Sequence, residues 1–116
     1  MRYMLLIYTR EEGLPQRTRE EMQQVMSGHF AVMNDARARG ALEKAEPLAK
    51  TNTATTVRIQ NGAPIITDGP FAESKEIVGG YFIVKANSID EAAAIAKGCP
   101  DFELGSSVEV REVMVM

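Results

Sequence analysis

Two segments of this chain have the pattern of strands that are apolar on both faces, and this feature constrains the fold more than any other. Residues 2–8 and 77–86 are nearly continuous apolar runs rich in β-forming residues, a pattern typical of strands buried on both sides. The chain offers only two helical segments, which can cover one face of a sheet. The sequence therefore predicts that a second copy of the sheet covers the other face, in a homodimer.

Capping boxes mark the start of both predicted helices. Thr18 is followed by Glu21, and Ser88 by Glu91, so that hydroxyl and carboxylate groups satisfy backbone donors that have no helical partner. The first helix should end near residue 39, before Gly40, and the second around residues 98–100. In the first helix, residues at three- and four-residue steps predict one apolar stripe facing the core, with the methionines as core filling: Met22, Val25, Met26, His29, Met33 and Ala36.

The dipeptide Asn61-Gly62 predicts a two-residue hairpin turn between strands at 53–60 and 63–67. That turn pairs Val57 with Ile66 and Thr55 with Asp68. Val57, Ile59, Ile66 and Asp68 then share one face, so the Asp68 carboxylate points where the apolar residues point.

A short second strand is expected within residues 42–50, and a last strand over 108–116 with a bulge at Arg111-Glu112. The resulting order of β, α, a meander of strands, α and β predicts a single α+β domain over residues 1–116. Its sheet is antiparallel, in a ferredoxin-like βαββ(β)αβ sandwich.

Charge and composition exclude several classes of function. The net charge of −3 gives no basic field for nucleic acid. A single cysteine, Cys99, and a single histidine leave no disulfide and no Cys/His zinc site, so we expect no metal, no cofactor and a reducing, cytoplasmic location. The apolar start at residues 4–8 is too short for a membrane span.

His29 is the natural candidate for acid–base chemistry, because only histidine among the side chains ordinarily changes charge near neutral pH. The alternative is a core histidine hydrogen-bonded to the backbone. A carboxylate on an inward face requires a partner, and a protonated imidazole suits Asp68. Equally, an aspartate before Gly-Pro can fold back onto the N–H groups of its own turn.

Gly79-Gly80 is unusual within an apolar strand, because glycine weakens a strand unless a ligand or another backbone comes close. Gly80 is therefore a candidate ligand contact, although a sheet contact explains it as well. Tyr3, Tyr8 and Tyr81 are candidates for lining a pocket with a phenol hydroxyl, with a core role as the alternative.

The run Asp68-Gly69-Pro70-Phe71, followed by Glu73, Lys75-Glu76 and Gly79-Gly80-Tyr81, resembles the signature of the DGPF group of YCII-related proteins. The resemblance extends through Met4-Leu5-Leu6, His29 and Val108-Glu109-Val110-Arg111. It implies a dimeric α+β barrel, in which two ferredoxin-like sheets pack face to face, as in muconolactone isomerase and small antibiotic-biosynthesis monooxygenases.

The resemblance also implies a site, since a first-helix histidine and an aspartate have been proposed as a catalytic pair in the wider family. His29 and Asp68 are the best matching positions, with Asp35 as another possible aspartate. Relatives isomerise lactones or eliminate halide from small unsaturated acids, and some DGPF proteins are encoded beside extracytoplasmic-function sigma factors.

Two functions remain open from the sequence. The first is a cofactor-independent isomerase or lyase acting on a small organic molecule, in which His29 moves a proton, Asp68 orients it, and Tyr81, Tyr8 and Gly80 contact the substrate. The alternative is a non-catalytic ligand-binding or regulatory protein, linked to an extracytoplasmic-function sigma factor. The surroundings of His29 distinguish the two.

Overall fold

The computed structural model describes residues 1–9, 18–49, 51–69, 76–98 and 107–116. Its helices and strands follow in the predicted order: β1 (Arg2–Thr9), α1 (Arg19–Ala38), β2 (Leu42–Pro47), β3 (Thr55–Gln60), β4 (Ala63–Asp68), β5 (Ile77–Lys85), α2 (Ile89–Ala96) and β6 (Ser107–Glu112). The Pro70-Phe71 part of the motif, Glu73, Lys75, Cys99 and Pro100 lie outside the described residues. No helix in the described ranges is long and apolar enough to cross a membrane.

Four strands form one antiparallel sheet in the order β2-β5-β1-β6. In its centre Leu5 pairs with Phe82 on one side and Val110 on the other. This strand order and the two crossing helices are those of the predicted ferredoxin-like α+β fold, which is confirmed.

Alternation along the central strands buries one face of the sheet. Tyr3, Leu5 and Ile7 of β1 are at most 5% exposed, and Phe82 and Val84 of β5 at most 6%. They pack with α2 and with the last turns of α1 in one core. The residues between them are only half-buried, and within the described ranges neither helix covers the other face of the sheet, which is called the bare face below.

Local hydrogen bonds explain where the helices begin. The Thr18 hydroxyl accepts a bond from the Glu21 N–H at 3.1 Å, and the Glu21 carboxylate accepts one from the Thr18 N–H at 3.4 Å, which confirms the first capping box. At α2 the Ser88 hydroxyl accepts from the Glu91 N–H at 3.2 Å. The Glu91 carboxylate reaches one residue further back than predicted, to the Asn87 N–H at 2.8 Å.

The predicted stripe of α1 is only partly buried. Ala36 is buried, and His29 and Met33 are half-buried, whereas Met22 and Met26 are 58% and 56% exposed. The prediction that these two methionines fill the core is wrong, because only the C-terminal half of α1 packs on the core.

Strands β3 and β4 form a separate two-stranded sheet. The predicted register is confirmed, with Val57 opposite Ile66 and Thr55 opposite Asp68. Asn61 and Gly62 have φ values of +53° and +79°, as a type I′ turn requires. The shared face of this hairpin was expected to point inward, but Val57, Ile59, Ile66 and Asp68 are exposed.

The last strand is shorter and more regular than predicted. Its register with β1 runs without a shift from Ser107 to Glu112, so the predicted bulge at Arg111-Glu112 and the extension to residue 116 are wrong. Pairing stops because β1 begins at Arg2, whose carbonyl accepts the last bond, from the Val113 N–H. The irregularity lies in β5, where the register with β1 shifts between Ile7 and Tyr8.

Candidate functional site

A cavity of about 540 Å³ lies between α1 and the edge of the sheet formed by β2 and β5. This volume is within the range of small-molecule sites. Its described lining residues come from four elements and the segment after β2: Ile7, Thr9, Val25, Met26, His29, Phe30, Met33, Ala45, Glu46, Pro47, Leu48, Ala49, Ile77, Gly79, Gly80, Tyr81 and Phe82.

The described part of the cavity wall is mostly apolar. Its described lining residues include one histidine, His29, and one acidic residue, Glu46. Such a wall binds an organic molecule chiefly by burying its surface, while a few polar groups fix its orientation.

His29 is placed by its position on α1. It is half-buried, and its ring meets that of Phe82 edge to face, with centroids 6.1 Å apart and planes at 88°. Edge-to-face packing is a favoured aromatic geometry, so the core residue Phe82 restrains the imidazole at the cavity wall. An imidazole in this position can take a proton from a bound molecule or return one.

A hydrogen-bonded cluster lies across β2 and β5. The Tyr81 hydroxyl donates to Glu46 Oε2 at 2.6 Å, and Lys44 Nζ lies 3.3 Å from Glu46 Oε1. The hydroxyl bond, followed by the Lys44 bond, lowers the pKa of the Glu46 carboxyl. The bond to the carboxylate raises the pKa of Tyr81, and Glu46 raises that of Lys44.

The cluster and the imidazole belong to opposite faces of the sheet. Glu46 pairs with Tyr81, and Ala45 with Phe82, and successive strand residues alternate between faces. Since Phe82 contacts His29, the Tyr81 ring projects from the bare face. Residues from both faces line the cavity because it lies along the edge of the sheet, at β2.

The two glycines of β5 allow close approach within the chain. A Cβ on Gly80 would lie 3.1 Å from the Glu46 carbonyl oxygen and 3.3 Å from Pro47 Cα. A Cβ on Gly79 would lie 3.0 Å from the Thr9 hydroxyl oxygen. Gly80 also lines the cavity. Because glycine has no side chain, the β2 backbone can approach β5 closely at this residue and the cavity keeps its space.

The predicted site residues are only partly brought together. Gly80 and Tyr81 line the cavity with His29, whereas Tyr8 and Asp68 are not among its lining residues. Tyr8 is half-buried, and Asp68 is exposed at the end of β4. The His29–Asp68 pair therefore stays a prediction. Within the described ranges, no group of three or more His, Cys, Asp or Glu side chains could hold a metal ion.

Sequence reasoning missed Glu46 and the apolar cavity residues Met26 and Phe30. The alternation of Lys44 and Glu46 along a strand edge was the only signal for the carboxylate. Phe30 is 54% exposed and lies outside the stripe that helical spacing selected, so only its place at the cavity wall identifies it.

Comparisons with known proteins show which family the chain belongs to. A family model described as the YCII-related domain matches residues 1–116. An uncharacterized protein of Rhizobium meliloti (strain 1021), R00369, is 35% identical over 97 residues, which cover 84% of this chain and 78% of that protein.

A similar solved structure is 5-chloro-2-hydroxyhydroquinone dehydrochlorinase (TftG) from Burkholderia phenoliruptrix AC1100, in complex with 2,5-dihydroxybenzoquinone. The TM-score is 0.55 at 17% identity, over 98% of this chain and 94% of that one, which is a likeness of fold. The sequence match over all 116 residues, together with this fold, shows that the chain belongs to the YCII-related domain family.

Proposed function

We propose that this protein is a cofactor-independent enzyme of the isomerase or lyase type that acts on a small organic molecule, with His29 as the group that moves a proton. The observation that carries the proposal is the half-buried His29 imidazole in the wall of a mostly apolar cavity of about 540 Å³. The fold likeness to a dehydrochlorinase supports the same class of chemistry.

The chemistry needs a base that takes a proton from the bound molecule. Proton removal next to a carbonyl leaves an electron pair that shifts a double bond or expels a leaving group such as chloride from a neighbouring saturated carbon. In a chlorinated hydroquinone, a ring-hydroxyl proton first moves to the carbon that bears chlorine, and loss of a second hydroxyl proton then expels chloride and leaves a quinone. The base then returns the proton to another atom in an isomerisation, or to solvent in an elimination. A positioned histidine contributes about 10²- to 10⁴-fold to such a step.

The test uses 2,5-dihydroxybenzoquinone as a binding probe and chlorinated hydroxyhydroquinones as trial substrates. The wild-type protein should bind the probe and should release chloride from the trial substrates. His29→Gln should lower kcat for chloride release by about 100-fold or more. Met22→Gln is the control, because Met22 is exposed on the same helix and is not among the lining residues. Equal rates for wild type and His29→Gln contradict the role of His29. Binding without turnover favours the ligand-binding or regulatory function instead.

The carboxylate that assists His29 is proposed to be Asp68, as the family resemblance implies, and Glu46 is the rival because it lines the cavity. Asp68→Asn and Glu46→Gln remove one negative charge each with little change of shape. If Asp68 orients His29, Asp68→Asn should lower kcat by at least tenfold while Glu46→Gln leaves it nearly unchanged. The reverse result assigns the role to Glu46.

A homodimer in the cytoplasm is part of this proposal. The bare face of the sheet has an apolar centre of half-buried residues: Met4, Leu6, Tyr8 and Ile83. It has charged borders, with Lys44 and Glu46 on β2 and Glu109 and Arg111 on β6. An apolar centre with a polar rim is typical of protein interfaces, and a second copy of the sheet supplies a matching face.

A further inference from the structure

The hairpin formed by β3 and β4, termed here the arm, has an apolar face that is exposed in the described part of the chain. Val57, Ile59 and Ile66 share this face in the observed register and are 61%, 68% and 71% exposed. Contiguous exposed apolar residues on a ribbon mark an interaction site or an aggregation hazard.

The arm is a sheet of its own, separate from the main sheet. Within the described ranges, β3 and β4 pair with each other and with no strand of the main sheet. The base is closed by the Gly69 N–H donating to the Ala54 carbonyl at 2.7 Å and the Thr56 hydroxyl donating to the Gly69 carbonyl at 2.6 Å. A two-stranded hairpin is marginally stable alone, and packing on another surface stabilises it.

The dimensions of the chain agree with a projecting arm. Its radius of gyration is 16.1 Å, whereas a compact domain of this length has about 13.4 Å. Its principal extents are 48 × 43 × 18 Å, so it is a thin plate.

From these observations we infer that the arm is a dimerisation element, whose Val57–Ile59–Ile66 face packs on a second copy of this chain. This inference rests on the homodimer proposed above. In a two-fold dimer each contact occurs twice, so a single apolar arm face contributes two buried patches.

Contact area supports this occupant. Four strands about 4.8 Å apart with roughly six paired residues each present a face of roughly 400 Å² in projection, while a stable interface uses about 800 Å² of accessible surface from each partner. Side chains increase the accessible area above the projected area by a similar factor on every sheet. The arm has half as many strands as the main sheet, so it adds about half of the area of the main sheet's face. The arm thus supplies contact area that the sheet face alone provides sparingly.

The test compares dimerisation of the wild type with that of Val57→Thr/Ile59→Thr/Ile66→Thr. Threonine keeps β-branching, so the arm stays a hairpin, but it puts hydroxyls on the apolar face. Arg58→Thr/Gln60→Thr is the matched control, because these residues lie on the other face of the same ribbon. In sedimentation velocity the first variant should raise the dimer Kd at least tenfold, and the control should change it less than threefold.

A second measurement locates the contact. In a mixed dimer of ¹³C-labelled and unlabelled chains, isotope-filtered NOE spectra should connect methyl groups of Val57, Ile59 and Ile66 to the other chain. NOEs from these methyls only to their own chain would overturn the inference, as would equal Kd values for wild type and the threonine variant. A wild type that is monomeric at micromolar concentration refutes the proposed homodimer as well, whereas an unaffected dimer refutes the arm alone.

Discussion

Gly80 lies where the backbones of β2 and β5 are closest, and this contact determines the cost of any side chain there. The atoms that a Cβ would meet, the Glu46 carbonyl oxygen and Pro47 Cα, belong to the backbone of β2 and move only if the strand moves. At Gly79 the nearest atoms belong to the Thr9 side chain, which can rotate away.

Gly80→Ala is therefore expected to lower the free energy of unfolding by about 1–3 kcal/mol, the usual cost of overpacking. Gly79→Ala is the matched control and should cost less, because a side chain yields and alanine restricts the unfolded chain. Urea denaturation measures both. A larger loss at Gly79 than at Gly80 would contradict the assignment of the close contact to β2.

The stability of the folded protein should depend on pH because of the cluster of Glu46, Tyr81 and Lys44. The hydroxyl bond lowers the pKa of the Glu46 carboxyl in the folded state, so its stabilisation is present above the ordinary glutamate pKa of about 4.3 and is lost as the pH falls through the lowered value. Glu46→Gln should be less stable than wild type at neutral pH, and the difference should shrink in acid.

Denaturation across this pH range, in a double-mutant cycle with Tyr81→Phe, checks that the effect belongs to the pair. The bond raises the pKa of Tyr81, so the stabilisation also fades in alkali, as the pH rises through the raised value. A difference between wild type and Glu46→Gln that is the same at every pH would show that charge plays no part.

Local signals predicted the turns and the helix starts, whereas distant contacts decided where the last strand ends and which side chains of α1 are buried. Thr18 and Glu21 are three residues apart, and Asn61 and Gly62 adjoin, so short-range chemistry fixes their geometry. The end of β6 depends on where β1 begins, more than 100 residues earlier in the chain. The exposure of Met26 depends on a cavity beneath α1, which helical spacing does not reveal.

Replacing Gly62 by Val should destabilise the arm by about 1–2 kcal/mol, because φ at this residue is +79° and a side chain makes that region unfavourable. Asn61→Gly is the control, since glycine tolerates positive φ. Amide hydrogen exchange within β3 and β4 is the measurement, because it reports opening of the arm separately from the body. Unchanged protection in Gly62→Val would contradict the turn assignment.

The main sheet has one face packed on helices and one face that neither helix covers within the described ranges. The sequence predicted this division, because residues 2–8 and 77–86 are apolar at successive positions and two helices cover one side. Of the predicted site residues, His29, Gly80 and Tyr81 line the cavity, whereas Tyr8 and Asp68 do not. Their roles stay predictions. The sequence did not predict Glu46, because the cavity lies along a strand edge and edges depend on strand order.

Leu6→Lys should convert the proposed homodimer to a monomer of 12.7 kDa, because it places a charge at the apolar centre of the bare face, where desolvation is costly. Arg111→Lys keeps the charge at the border and should leave the dimer intact. Light scattering at micromolar concentration measures the mass. A dimeric Leu6→Lys variant would show that the chains associate through another surface.

The edge-to-face contact of His29 with Phe82 makes the imidazole a built-in spectroscopic reporter. The chain has one histidine, so its ring protons give a single, unambiguous set of NMR signals, and the magnetic anisotropy of a neighbouring aromatic ring shifts them. A molecule that enters the cavity changes the magnetic surroundings of this imidazole. Ligand screening can therefore follow the His29 resonances directly, without an attached label or an activity assay, and before any substrate has been identified.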